Sequence, residues 1–218
     1  MKNEIKLMFH HLSLFYLIII VIILRMDPIL IRKAPFMGMV FANLVFQSLV
    51  AYTTAVKIDK KHVAENVLFY IIASVLLILT LAIMSSYNVN IPAKFIVFTM
   101  YSVVAGVLLS TRKTGLQAIR EVGAIFGAMF ILGIVSIQLK IDLRPYFPIL
   151  ALILLGVLIS RFIGVENKET STIVSVLLAM FVVFDTNNIL QKDYDGDFIQ
   201  ASLDYFLDII SLMSEYEE

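Results

Sequence analysis

Long apolar windows, separated by short polar or proline-containing stretches, run along almost the whole chain. Their lengths match the roughly 20 residues that a helix needs to cross the hydrocarbon core of a bilayer. We place eight windows, at about 8–24, 34–56, 67–87, 91–110, 119–139, 143–165, 170–190 and 197–213. Since a spanning helix satisfies its backbone hydrogen bonds internally, this pattern predicts a chain that crosses the membrane repeatedly.

The punctuation between the windows supports this segmentation. A proline is tolerated in the first turn of a helix, where its missing N–H has no partner to lose. All five prolines lie at or near predicted helix starts: Pro28, Pro35, Pro92, Pro145 and Pro148. The window at 8–24 is short and apolar, but no small-residue cleavage site follows it, so we expect an uncleaved additional helix rather than a signal peptide.

Composition narrows the fold class. Hydrophobic residues make up 60% of the chain and charged residues 16%, whereas soluble domains carry about 25% charge. We predict an all-α, polytopic transmembrane bundle of seven or eight helices, forming a single domain over 1–218, with the C-terminal helix central or re-entrant.

The absence of cysteine excludes disulfides and thiolate metal sites, and a net charge of zero argues against a nucleic-acid partner. We expect neither a resident cofactor nor an enzymatic activity.

Two aspartates interrupt the last two apolar windows. Asp185 follows Val182-Val183-Phe184, and Asp208 lies between Tyr205-Phe206-Leu207 and Ile209-Ile210. An ionised carboxylate in hydrocarbon costs several kcal/mol, so such residues lie inside a bundle, are neutralised or serve a function. These two positions are therefore the candidate functional site.

The two aspartates can meet if the last two windows form a helical hairpin. At 1.5 Å per residue, Asp185 lies about 10 Å and Asp208 about 13 Å from the intervening turn. Two carboxyl groups at hydrogen-bond distance in a poorly hydrated bundle cannot both ionise, so we expect them to share one proton. Loss of that proton leaves two repelling anions, which predicts a pH sensor and gate. Because Ca²⁺ binds carboxylate oxygens, we also expect Asp185 and Asp208 to form a Ca²⁺ site.

Four polar residues near the pair are candidates for a cation path: Thr186, Asn187, Asp204 and Ser211. Asp204 precedes Asp208 by four residues and shares its helix face. It is either a further charge on the path or a residue hydrated near the interface. The acidic turn Asp193-Tyr194-Asp195-Gly196-Asp197 lacks the spacing of a calcium loop, so we expect a solvated turn.

Other polar and small residues have simpler interpretations. Asn43, Gln47 and Tyr52 could face a cavity, but polar residues in membrane helices more often link neighbouring helices. Gly127, Ala128 and Gly133 are expected to allow close helix packing.

The last quarter of the chain resembles a known family. Phe184-Asp185-Thr186-Asn187 is similar to an aromatic-Asp-Thr-Gln motif, and the segment 201–212 to an Ala-Ala-Leu-x-Leu-Tyr-Leu-Asp-x-Ile-Asn-Leu motif, both found in the Bax inhibitor (transmembrane Bax inhibitor motif) family. Gln117-Ala118 and Ile125-Phe126-Gly127-Ala128-Met129 are similar to a further motif of that family. The resemblance covers about 34–213 and leaves the window at 8–24 as an addition.

The chain also departs from the family pattern. Asn187 stands where Gln is usual, Ser211 where Asn is usual, and Asp204 is an extra carboxylate. Some members carry a basic residue in their second helix that pairs with the first aspartate, but the window 67–87 contains no Lys or Arg. Another group, such as Asp208 through the shared proton, must balance Asp185.

The resemblance implies a pH-sensitive Ca²⁺ leak channel that modulates intracellular Ca²⁺ and cell death. Its partners would be the lipid bilayer, Ca²⁺ as transported ion, H⁺ and cell-death regulatory membrane proteins. It would reside in an organelle membrane in a eukaryote or virus, or in the plasma membrane of a bacterium. Three alternatives stay open: a non-conducting modulator acting through protein partners, a proton-coupled transporter and an intramembrane aspartyl protease.

Overall fold

A computed structural model describes residues 27–58, 67–84, 89–110, 116–163 and 168–215. In this part of the chain seven α-helices follow one another: α1 Pro28–Lys57, α2 Val67–Met84, α3 Ile91–Leu109, α4 Leu116–Gln138, α5 Phe147–Phe162, α6 Lys168–Gln191 and α7 Phe198–Glu215. A single 3-10 turn, Arg144–Tyr146, precedes α5. Each window predicted from residue 34 onward thus coincides with one helix, and the window at 8–24 lies outside the described residues.

The start of α1 differs from the prediction. The helix begins at Pro28, because the Asp27 carboxylate caps it by accepting a hydrogen bond from the backbone N–H of Ile29 at 2.9 Å. Pro35 consequently lies inside α1, so its assignment to a helix start is wrong. Pro92 does lie at a helix start, because it is the second residue of α3, which begins at Ile91. Asn90 caps this helix, and its side chain accepts a hydrogen bond from the N–H of Ala93.

Several helices are long and apolar enough to cross a bilayer. Among the described residues four meet this criterion: Pro28–Lys57, Ile91–Leu109, Ala118–Gln138 and Glu169–Gln191. Shorter apolar helices occur at Ser74–Met84 and Arg144–Ser160. Large apolar side chains such as Val45, Ile78 and Leu152 are about two-thirds exposed, as expected for surfaces that face lipid. The predicted fold class, a polytopic helical membrane protein, is confirmed.

The C-terminal helix lies at the centre of the bundle. α7 packs against α1, α3, α4 and α6, whereas α2 packs on α3 and α5 on α6 at the periphery. Along α7 both apolar and polar side chains are buried, including Ser202, Tyr205, Phe206 and Asp208. The central position explains how a helix with three acidic residues can lie within an otherwise apolar bundle.

Candidate functional site

The hairpin of α6 and α7 brings Asp185 and Asp208 together. The two side chains lie close enough for a hydrogen bond between their carboxyl groups. Asp185 is 8% exposed and Asp208 is 7% exposed, so bulk water solvates neither. Such a bond forms only when one of the two carboxyl groups carries a proton and donates it.

One oxygen of the pair is not engaged. Asp208 Oδ2 is buried and finds no hydrogen-bond partner among the residues that the structure describes. A buried polar atom without a partner is costly, and in native proteins it often marks a functional position. The pair therefore includes a buried oxygen without a hydrogen-bond donor among the described residues.

Asp204 joins the pair as a third carboxyl group. It is partly buried, accepts a hydrogen bond from the Tyr194 hydroxyl at 3.1 Å, and interacts electrostatically with both Asp185 and Asp208. The cationic charge of Lys192 acts on Asp204 in turn. Basic charge therefore reaches the cluster from the α6–α7 turn. In some members of the Bax inhibitor family the basic residue lies in the second helix, but here α2 packs on α3.

Thr186 connects the two helices next to the pair. Its Oγ1 donates to the carbonyl of Val182 at 2.7 Å and accepts from the Tyr205 hydroxyl at 3.0 Å. Tyr205 is fully buried, and its ring stacks on Phe41 and meets Phe126 edge-on. Sequence reasoning missed Tyr205 as part of the site, although its place between Asp204 and Asp208 was a usable signal.

Asn187 is held by structural contacts. Its Nδ2 donates to Ser136 Oγ and to the Ile141 carbonyl, and its Oδ1 accepts from the Leu143 N–H and from Gln191 Nε2. An amide can make about four hydrogen bonds, so its capacity is used. Asn187 thus anchors the connection between α4 and α5 to α6, and its place on a cation path stays a prediction.

Ser211 lies three residues beyond Asp208 and is half-buried. Its carbonyl accepts from the Ser214 hydroxyl at 2.7 Å. This contact does not involve the carboxyl pair, so the assignment of Ser211 to a cation path stays a prediction.

Polar side chains in α1 link helices, as one of the two interpretations predicts. Asn43 donates to Ser202 Oγ on α7. Gln47 Nε2 donates to Asn43 and Thr99, and its Oε1 accepts from Ser102 on α3 at 2.8 Å. These buried hydrogen bonds fix α1 against α7 and against α3. Tyr52, by contrast, lines an apolar groove of about 530 Å³ between α1, α4 and α7.

The acidic turn is more than a solvated loop, which corrects the prediction for Asp197. Its Oδ1 accepts from the Gln200 N–H at the start of α7. Its Oδ2 forms an ion pair with Lys94 Nζ at 2.5 Å, and the Lys94 side chain is 4% exposed. Sequence reasoning missed Lys94, because a lysine in the first turn of an apolar helix usually extends to the interface.

No group of three or more His, Asp or Glu among the described residues is arranged to hold a metal ion. Ca²⁺ takes six to eight oxygen ligands, more than two carboxyl groups supply. Ca²⁺ binding by Asp185 and Asp208 therefore stays a prediction that concerns a passing ion.

Comparison with known proteins finds similarity to a bacterial membrane protein. The chain is 28% identical over 166 residues to an uncharacterized membrane protein of Streptococcus pyogenes serotype M1, which covers 69% of this chain and 72% of that protein. No model of a known protein family matches the chain. The similarity supports an integral membrane protein, and the likeness to the Bax inhibitor family stays a resemblance in motifs.

Proposed function

We propose that the protein is a pH-sensitive cation leak channel, permeable to Ca²⁺, in which the Asp185 and Asp208 pair is the gate. The observation that carries the proposal is the close approach of two buried carboxyl groups on neighbouring helices, within reach of a hydrogen bond. The resemblance to the Bax inhibitor family supports the choice of ion. Modulation of intracellular Ca²⁺ and of cell death through membrane partners belongs to the same proposal.

The closed state is held by the shared proton. With one proton, the bond between the carboxyl groups ties α6 to α7. Neither carboxyl group lines the three cavities described among these residues. The Asn43–Ser202 bond holds α7 along its length, and the Lys94–Asp197 ion pair holds the residue before its first turn. Such packing is compatible with a conduction path that stays shut while the proton is present.

Deprotonation opens the path. When pH rises and the shared proton leaves, two anions face each other in a medium of low dielectric, where their repulsion is much larger than in water. Separation of the helices admits water and cations to the carboxylates, which then attract a divalent ion. The sign is therefore fixed: flux is low in acid and increases as pH rises.

Ca²⁺ flux into proteoliposomes, measured across a pH series, tests the proposal. Asp185→Asn and Asp208→Asn each replace one of the two carboxyl groups that share the proton. We therefore expect either variant to lose most of the pH dependence of flux. Asp195→Asn is the matched control, because Asp195 is exposed in a left-handed turn conformation that Asn also tolerates.

Two results would count against the gate. An unchanged pH profile in both variants would remove the pair from the mechanism. Wild-type protein that conducts nothing at any pH would favour the alternative of a non-conducting modulator that acts through protein partners.

A further inference from the structure

We propose that Tyr194 closes a water path that leads from the α6–α7 turn to the Asp185 and Asp208 pair, with Asp204 as the relay between them. The proposal deepens the proposed function and rests on it for the shared proton. It names the side from which the pair exchanges that proton. The residues that carry it lie in the turn and in the first half of α7.

Tyr194 occupies the position of a plug. It lies in the connection between α6 and α7, yet it is only 6% exposed. Its ring lies 4.8 Å from Lys192 Nζ and 5.8 Å from the ring of Phe36 on α1. Lys33 Nζ donates to the carbonyl of Lys192 at 2.7 Å, which ties the turn to α1. The ring is thus enclosed on the side that faces water.

The hydroxyl of Tyr194 points at the first carboxyl of the cluster. It donates to Asp204 Oδ2 at 3.1 Å. Burial, and then the charge of Asp204, raise the pKa of Tyr194, so the phenol stays protonated and acts toward Asp204 as a donor. This bond occupies one of the two oxygens of the Asp204 carboxyl group.

Asp204 connects the plug to the pair. It precedes Asp208 by four residues on α7 and shares its helix face, and its charge acts on both Asp185 and Asp208. Behind it, Asp208 Oδ2 is buried with no partner in the described part of the chain. The path thus has Asp208 Oδ2 at its inner end and the Asp204 carboxyl, bound by the Tyr194 hydroxyl, at its outer end. A few water molecules between them would complete it.

The charged and titratable groups around this path come from three parts of the molecule. α1 contributes Lys33 beyond the ring of Phe36, and the turn contributes Lys192. The hairpin itself contributes the three aspartates and Tyr205, whose hydroxyl is committed to Thr186. Displacement of the Tyr194 side chain would expose Asp204 to water and leave the contact between Asp185 and Asp208 intact.

The rate at which the buried acid exchanges its proton for deuterium tests the gate directly. The full chain is placed in lipid nanodiscs and transferred rapidly from H₂O to D₂O, and the infrared band of the protonated carboxyl is followed. The band is assigned by its loss in the double variant Asp185→Asn with Asp208→Asn. This readout requires no cation flux, so it separates the gate from conduction.

The variants move the exchange rate in opposite directions. Tyr194→Phe keeps the ring but removes the hydroxyl, and exchange should accelerate at least about tenfold, the factor expected when a hydrogen bond to a charged acceptor is lost. Asp204→Asn keeps an acceptor for the phenol but removes the relay, so exchange should slow. Tyr146→Phe, at an exposed tyrosine, should leave the rate unchanged.

Each other outcome overturns the proposal. Equal rates in Tyr194→Phe and the wild type would show that the phenol closes nothing. Acceleration in both Tyr194→Phe and Asp204→Asn would indicate general loosening of the hairpin. Absence of a protonated band would overturn the shared proton and the gate together, whereas a gate confirmed in a protein without Ca²⁺ flux would overturn conduction alone.

Discussion

At the scale of single residues, the ion pair of Lys94 and Asp197 shows how this membrane protein uses charge for architecture. Lys94 belongs to α3, and Asp197 lies 103 residues further along the chain, at the start of α7. The ion pair therefore fixes the N-terminal end of α7. This helix belongs to the same hairpin that brings Asp185 and Asp208 together. Removal of one partner would leave the other charge largely buried and unpaired.

Lys94→Met is expected to destabilise the protein by about 2 kcal/mol, below the usual range for fully buried pairs because the Asp197 side chain is 18% exposed. Adding Asp197→Asn should recover at least half of the loss, since Asn removes the orphan charge and still caps α7. Denaturant unfolding of the purified protein in mild detergent measures both values. Lys140→Met, at an exposed lysine, is the control, and a Lys94→Met variant as stable as this control would refute the structural role.

At the scale of helices, α6 is held against α4 by a close approach at Gly133. A β-carbon added to Gly133 would lie 2.4 Å from Cβ and 2.6 Å from Cγ2 of Thr186, so only glycine fits there. Gly127, two turns earlier on α4, would meet nothing within 4 Å. The prediction of close packing is thus confirmed for Gly133 and wrong for Gly127.

This difference gives a matched pair of variants. Gly133→Ala should cost about 1 to 3 kcal/mol, because α4 must move away from Thr186 and the core is overpacked. Gly127→Ala should be neutral or stabilising by up to about 1 kcal/mol, because alanine favours the helix. Thermal unfolding in detergent compares them, and equal melting temperatures for the two variants would contradict the contact.

The helices themselves could be predicted because their cause is local. A run of about 20 apolar residues between polar punctuation is sufficient to indicate a span, and α3 and α6 were placed to within about two residues. The start of α1 could not be placed so well, because it depends on which of two prolines has a capping side chain before it.

The candidate site could be predicted only in part. Asp185 and Asp208 are conspicuous as charges within apolar windows, and hairpin geometry brings them to similar depth. Their partners depend on contacts across long sequence separations, such as Asn43 with Ser202 at 159 residues. The same limit explains why Lys94 was missed and why Asn187, next to the pair in sequence, proved to bind the α4–α5 connection.

At the scale of the whole molecule, apolar side chains cover the outer helices, and a set of polar side chains is buried along the central helix. Exposed side chains on α2 and α5 are mostly apolar. On α7, by contrast, Ser202 and Asp208 are buried and Asp204 is partly buried. A helix of this kind is stable in a bilayer only because four neighbours surround it. Any motion that separates α6 from α7 would therefore expose a polar interior and create a hydrated route through the bundle.

The central claim is that the two carboxyl groups hold one proton between them, and a proton count tests it most directly. Infrared spectra of the wild type and of the double variant Asp185→Asn with Asp208→Asn, recorded in lipid nanodiscs at neutral pH, give the number of protonated carboxyl groups that the pair contributes. The account predicts a difference of one per chain, lost from the wild type as pH is raised. A difference of zero, with both groups ionised, or of two, with both protonated, would contradict it.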